Sequence, residues 1–223
     1  AVVAMGVAYS LETWLTPVLG GETGKPSEGL LLLAGPIEEG AKLLVPVILL
    51  AAGVAFIRTP RLGVWTVLIS SSLFGAFEGA LYAANLGGAR TSDTGEKLAE
   101  ALKLSKDSGN VAAELMSLTS RTWVELGHPI WTTGAAALIW LAVHQGRKVL
   151  GLATLGAYLA AAAIHSFNDG VLTLLPGALP IVGSIVWLTL SYVLWFRPLV
   201  RRLVPPASLE KVPARWIPAV PAK

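Results

Sequence analysis

Apolar residues fill long stretches of this 223-residue chain, and polar residues gather in the shorter segments between them. Several apolar runs are long enough to cross about 30 Å of hydrocarbon as a helix. These runs predict about six transmembrane helices, near residues 1–20, 29–57, 62–87, 121–145, 149–168 and 171–196. We therefore expect an all-α fold, a polytopic bundle of membrane helices.

The connections between the predicted spans alternate in charge. Basic residues follow the second, fourth and sixth spans, whereas the other connections carry mixed charge or almost none. These basic residues are Arg58, Arg61, Arg147, Lys148, Arg197, Arg201 and Arg202. Because short cytoplasmic loops are enriched in Lys and Arg, we predict cytoplasmic N- and C-termini. The chain begins within an apolar run and lacks the basic start of a signal peptide, which leaves room for a further helix upstream.

Two segments outside the predicted spans have patterns of their own. The external loop at 88–120 carries apolar residues at helical spacing, which predicts short amphipathic helices on the outer membrane surface. They would serve either as a connector or as a lid over a site. The proline-rich segment 204–223 predicts an extended cytoplasmic tail, so residues 1–203 form one membrane-embedded domain.

Composition narrows the class of protein. The chain is 54% hydrophobic and 14% charged, a balance that makes lipid its main solvent. It has no cysteine, which excludes disulfides, thiolate metal ligands and a cysteine nucleophile. The basic residues lie at helix ends and are not interleaved with aromatics, so the bilayer is the expected partner and nucleic acid is not. We expect the eight tryptophans to act mostly as interface anchors.

Polar side chains within the predicted spans indicate a functional site, because charge inside a membrane helix is costly. With the predicted topology, Glu38, Glu78, His128 and His165 lie roughly 15 to 5 Å below the external ends of their helices. We therefore expect them to meet in one polar cavity in the external half of the bilayer. Glu78 lies between Gly75 and Gly79, a spacing that favours close helix contact. The polar residues are Glu38, Glu39, Lys42, Glu78, His128, His165, Asn168 and Asp169.

Local spacing predicts which of these side chains pair, because residues three and four apart share a helix face. Lys42 can neutralise either Glu38 or Glu39, which leaves the other carboxylate to project into the cavity. His165 and Asp169 are four apart, which suits a carboxylate that orients an imidazole or binds a peptide amide. Asn168 is the other candidate for that polar role.

Four motifs follow one another along the chain: Glu38-Glu39-Gly-Ala-Lys42, Phe74-Gly-Ala-Phe-Glu78, His128-Pro-Ile-Trp-Thr-Thr-Gly134 and His165-Ser-Phe-Asn-Asp169. In this order they resemble the PrsW family of intramembrane proteases and, more distantly, the type II CAAX prenyl and bacteriocin-processing membrane proteases. The resemblance implies a peptidase of the bacterial plasma membrane that cuts a membrane-anchored protein, such as an anti-sigma factor. The residues it implies as catalytic are Glu38, Glu39, Glu78, His128 and His165. Lys42 and Glu78 depart from the CAAX protease pattern, so a prenylated substrate is not implied.

Two mechanisms are open for such a peptidase. In a glutamate mechanism, Glu38 or Glu39 activates water while a histidine positions it or stabilises the oxyanion. In a metal mechanism, His128, His165 and Glu78 hold zinc and Glu38 is the base. The histidines lack the HExxH spacing of soluble zinc proteases, so the sequence does not establish a metal. Three alternatives to a peptidase are open. They are a noncatalytic scaffold, like a gamma-secretase subunit of similar fold, a proton-coupled transporter and a lipid-modifying enzyme.

Overall fold

A computed structural model describes residues 1–21, 27–86, 125–176 and 179–203, with the backbone alone for 81–86. Within these ranges all regular secondary structure is helical, which confirms the all-α part of the predicted fold, and the chain forms seven helices. They are α1 (Val2–Val18), α2 (Glu28–Ala51), α3 (Ala55–Arg58), α4 (Pro60–Leu86), α5 (Gly127–His144), α6 (Leu152–Ser166) and α7 (Leu179–Leu190). A π turn at Phe167–Val171 and a 3-10 turn at Leu172–Leu174 extend α6, while α7 continues through a π segment at Ser191–Phe196 into Arg197–Leu203.

Two predicted spans have different boundaries in the structure. The prediction of one span over 29–57 was wrong, because α2 ends at Ala51 and Gly53 takes a φ of 75°. Only glycine adopts such a left-handed conformation at little cost, so the chain turns there before α3. The span predicted at 171–196 is displaced toward the C-terminus. Its first residues belong to the turns after α6, and its helix runs on to Leu203. The helices predicted within 88–120 and the tail at 204–223 lie outside the described residues.

The helix surfaces suit a lipid environment. In the described part of the chain, Pro60–Ala80 and Leu179–Leu203 are long and apolar enough to cross a membrane. By contrast, α1 and α6 have only 17 and 15 residues, and α2 carries charged side chains near its centre. Ile48, Ile69 and Val182 are more than half exposed. Polar groups inside and apolar groups outside are the arrangement that a bilayer favours.

Helix α5 lies at the centre of the bundle. It packs against α4, α6 and the π segment of α7, while α2 packs against α1 and α6. Trp131 and Trp140 of α5 are fully buried, and the Trp140 indole donates a hydrogen bond to the Ile57 carbonyl at 2.8 Å. For these two tryptophans the prediction of an interface anchor was wrong, because the other helices surround α5 on every side.

Glycines allow the helices that carry the polar residues to touch. A Cβ at Gly35 would lie 2.7 Å from the Ser166 amide nitrogen, so α2 and α6 meet backbone to backbone. A Cβ at Gly75 would lie 2.7 Å from the Glu125 carbonyl oxygen, at the contact between α4 and α5. Both distances are too short for a real side chain. The two glycines therefore set the helix separations on either side of the polar cavity.

Candidate active site

Helix α2 carries two neighbouring glutamates, and both carboxylate oxygens of the second, Glu39, have short polar contacts. Glu39 is completely buried. Its Oε1 lies 2.7 Å from Lys42 Nζ and 3.0 Å from His165 Nδ1, and its Oε2 accepts a hydrogen bond from Thr132 Oγ1 at 2.7 Å. A buried carboxylate with this many short contacts is held rigidly. Glu39 thus ties α2 to both α5 and α6.

Glu38 is also buried, but its contacts are longer. Its Oε2 lies 3.4 Å from Lys42 Nζ, 3.5 Å from His128 Nδ1 and 3.8 Å from His165 Nε2. These are the contacts of Glu38 within the described part of the chain. The Glu38 carboxylate therefore faces both imidazoles, and it retains acceptor capacity for a small molecule such as water.

His128 at the start of α5 has polar contacts on both edges of its ring. Its Nε2 lies 3.0 Å from Glu78 Oε2 and 3.0 Å from Glu125 Oε2, and its Nδ1 lies 2.8 Å from Lys42 Nζ. Carboxylates only accept hydrogen bonds, and an ammonium only donates them. These neighbours assign a hydrogen to Nε2 and a lone pair to Nδ1, the nitrogen nearer Glu38.

His165 at the end of α6 lies between two carboxylates. Its Nδ1 is 3.0 Å from Glu39 Oε1, and its Nε2 is 3.0 Å from Asp169 Oδ2. The predicted pairing of His165 with Asp169 is therefore observed, and both ring nitrogens are in donor positions. Asn168 contacts Asp169 instead of the imidazole, donating from Nδ2 to Asp169 Oδ1 at 2.8 Å. The π turn after α6 positions both residues, and such turns occur frequently at functional sites.

Aromatic rings hold the two imidazoles in place. The ring centroids of His128 and His165 are 5.1 Å apart in an edge-to-face arrangement. Trp131 packs 4.7 Å from His165, and Phe74 packs 5.4 Å from His128. These large apolar neighbours limit water around the rings, which strengthens the electrostatic interactions among the polar groups.

Two carboxylates near the site were not among the predicted residues. Glu125 lies three positions before His128 and contacts its ring. Glu12 of α1 is partly buried and interacts electrostatically with Glu38 and Glu78. Both lie within the predicted spans at 1–20 and 121–145. An acid inside a membrane span was thus the signal that could have identified them.

Three side chains of the cavity could hold a metal ion once His165 Nε2, which faces Asp169 Oδ2 at 3.0 Å, gives up its hydrogen. Glu38, His128 and His165 each offer one ligand atom, and these atoms lie within 4.8 Å of one another. Two imidazoles and one carboxylate are a common zinc ligand set. In such sites the other nitrogen of each imidazole usually contacts a carboxylate, as Glu39 does for His165 and Glu78 for His128. The set predicted from sequence contained Glu78 in place of Glu38. Glu78 lies at the opposite nitrogen of His128, where it forms a second group with Glu125 and His128 that could hold a metal ion.

An all-helical membrane protein with a buried cluster of glutamates and histidines has the features of a membrane-embedded hydrolase. A family model described as PrsW family intramembrane metalloprotease matches residues 1–198. The chain belongs to this family, which confirms the resemblance found in its motifs, and it is a membrane protein and a peptidase. No curated protein and no solved structure matches the chain. Family membership thus favours an enzyme over the scaffold, the transporter and the lipid-modifying enzyme.

Proposed function

We propose that this peptidase hydrolyses a peptide bond of a membrane-anchored protein and that Glu38 is the base that activates water. The observation that carries the proposal is the contrast between the two neighbouring glutamates. Glu39 has three contacts of 3.0 Å or less, whereas those of Glu38 are 3.4 Å or longer. A general base must be free to accept a proton, and Glu38 meets that condition.

The reaction needs a proton acceptor for water and a donor for the developing oxyanion. In the proposed sequence, Glu38 takes the water proton while the water oxygen attacks the peptide carbonyl carbon. The Nε2–H of His165 shifts its hydrogen bond from Asp169 to the oxyanion, while Glu39 holds the ring at Nδ1. Glu38 then gives the proton to the leaving amine as the C–N bond breaks.

The metal mechanism uses the same side chains in a different way. Glu38, His128 and His165 would hold the metal ion, and zinc suits this donor set. A bound zinc ion would supply a Lewis acid that activates water and polarises the carbonyl. Replacing Glu38 is expected to abolish cleavage in both mechanisms. A chelator distinguishes them, because only the metal mechanism requires the ion.

We infer that the cavity opens in the external half of the bilayer and that both termini are cytoplasmic. The support comes from the two ends of the bundle. The polar cluster lies near the middle of α2, the start of α5 and the end of α6, whereas Arg58, Arg147 and Arg201 lie toward the opposite end of the bundle. Because basic residues favour the cytoplasmic side, the cluster is assigned to the external side. We propose that α1, α2, α4, α5, α6 and α7 all cross the bacterial plasma membrane.

The substrate class follows from this position. A peptide bond reaches the cavity when it lies at the external membrane boundary of a single-span protein. Anti-sigma factors, which the resemblance in the motifs implies, are proteins of this kind. We propose a membrane-anchored regulatory protein as the substrate, with its scissile bond near the external end of its own transmembrane helix.

The test is cleavage of a single-span candidate substrate in proteoliposomes by wild-type protein and Glu38→Gln. We expect the variant to lose about 10² to 10⁴-fold in rate, the usual contribution of a general base. Glu28→Gln is the matched control, because Glu28 is an exposed acid of the same helix. Cleavage by Glu38→Gln at the wild-type rate would exclude the proposed role. Inhibition by a chelator and recovery with zinc would select the metal mechanism.

A further inference from the structure

Lys42 lies among the groups that would bind a metal ion. Its ammonium is 2.8 Å from His128 Nδ1, 2.7 Å from Glu39 Oε1 and 3.4 Å from Glu38 Oε2. The residue is only 2% exposed, and its Nζ lies 4.7 Å from the centre of the Phe74 ring. This lysine is therefore a fixed positive charge inside the cavity, and it does not belong to a solvated surface.

The ammonium and a metal ion would need the same lone pair. His128 Nε2 faces two carboxylates and carries the hydrogen, so Nδ1 has the single lone pair of the ring. Zinc binds an imidazole nitrogen at about 2.0 to 2.1 Å. An ammonium hydrogen bonded to the same nitrogen excludes that bond, and the two cations would also repel each other.

We propose that Lys42 is an internal competitor of the metal ion and lowers the affinity of the site. The inference rests on the metal mechanism described under the proposed function, in which Glu38, His128 and His165 are the ligands, and it does not depend on Glu38 as the base. Metal entry breaks the bond between Lys42 and His128, while the bond between Lys42 and Glu39 persists. The ammonium thus keeps a short carboxylate contact in both states, and the exchange requires only a small movement of the lysine side chain.

The test uses a pair of substitutions that leaves the net charge of the cavity unchanged. Glu39→Gln combined with Lys42→Met removes one negative and one positive charge together. We expect the dissociation constant for zinc to fall at least about tenfold. In the pair variant, zinc no longer has to displace the charged hydrogen bond between Lys42 and His128. The constant is measured in detergent by competition with a chromophoric zinc chelator, after removal of bound metal. This readout does not depend on protease activity.

A second comparison assigns the gain to His128. In a His128→Ala background, the same pair of substitutions is expected to leave zinc affinity unchanged, since the contested lone pair is absent. An equal gain in that background would overturn the proposal. Wild-type zinc affinity in the pair variant would also overturn it, and so would the absence of zinc binding by both the wild type and the pair variant. Size-exclusion chromatography and thermal melting check folding. If the pair variant is unfolded, Lys42→Gln alone is compared in the two backgrounds. Loss of the positive charge then raises zinc affinity in both, and a larger gain with His128 present is the result expected from the competition.

The two proposals fail in different experiments. Unchanged cleavage by Glu38→Gln would remove the proposed base, whatever the zinc affinities are. Additive effects of the Lys42 and His128 substitutions on zinc binding would exclude the proposed competition, whatever the cleavage rates are.

Discussion

The two ends of the helix bundle are stabilised by different interactions. The site end, where α2 and α5 begin and α6 ends, buries charged groups that bond to each other across helices. The basic end, where α2 and α5 finish, has an apolar core that includes Val47, Leu50, Ile57 and Trp140. Lipid tails are as apolar as these side chains, so apolar contacts alone distinguish poorly between protein and lipid. The comparison indicates that the polar groups specify which helices meet, while close packing completes the other end.

The largest expected effect is the loss of Glu39, which would break the network at the site end. Glu39→Ala removes the buried carboxylate that contacts both Lys42 and His165. Removing one member of a buried ion pair typically costs about 3 to 5 kcal/mol. We expect a large drop in thermal stability in detergent and little folded protein. Calorimetry or a fluorescence melt measures the change.

Val47→Ala provides the control for this prediction in the same helix. Val47 lies in the apolar core of the basic end, and its truncation is expected to cost only about 1 kcal/mol, a typical value for single substitutions. Equal losses of stability in the two variants would show that the ends do not differ as described.

The second prediction concerns the helix contact that positions His128. A methyl group at Gly75 would meet the Glu125 carbonyl oxygen at 2.7 Å and His128 Cδ2 at 2.9 Å. Gly75→Ala must therefore shift α4 or α5. A displacement of about 1 Å in a catalytic group can cost about 100-fold in rate. We expect a loss of this size in proteoliposome cleavage, with substrate binding less affected.

Gly156→Ala is the matched control for that substitution. Nothing lies within 4 Å of the Cβ that it would add, and alanine is the better helix former. We expect wild-type cleavage and equal or higher thermal stability. A similar loss of activity in both variants would indicate that the effect of Gly75→Ala is not specific to the site end.

A third prediction addresses the basic end. Trp140→Phe removes the indole hydrogen bond to the Ile57 carbonyl but keeps an aromatic ring in the core. The unpaired carbonyl and the lost volume are expected to cost about 1 to 3 kcal/mol. The cleavage rate per folded molecule is expected to remain unchanged, because the tryptophan is part of the apolar cluster of the basic end. A rate loss without a stability loss would contradict the separation of the two ends.

Much of the site was predictable because residues three or four apart on a helix lie on the same face. The pairs of Lys42 with Glu38 and Glu39, and of His165 with Asp169, follow from positions three or four apart. The Gly75 contact follows in the same way from small residues on one face. The all-helical fold follows from the apolar runs, because a helix satisfies its backbone polar groups within one segment.

Other features depend on contacts between helices and could not be inferred from one segment. The sequence could not distinguish Glu38 from Glu39, because Thr132 and His165, which bind Glu39, come from other helices. The burial of Trp140 likewise depends on the helices around α5. Glu12 and Glu125 are different, since both were visible as acids within predicted spans.

The smallest expected effect tests a bond created by a proline of α2. Pro36 has no N–H and so leaves the Leu32 carbonyl without its helical partner. Ser166, next to His165, donates a hydrogen bond to this carbonyl at 2.7 Å. Ser166→Ala is expected to cost about 0.6 kcal/mol, the mean value for hydrogen bonds between membrane helices.

In a Pro36→Ala background the same change is expected to cost nothing, because residue 36 then supplies the missing N–H. Thermal melts of the four proteins measure the coupling, and an undiminished cost of Ser166→Ala in the Pro36→Ala background would show that the proline does not create the need for this bond.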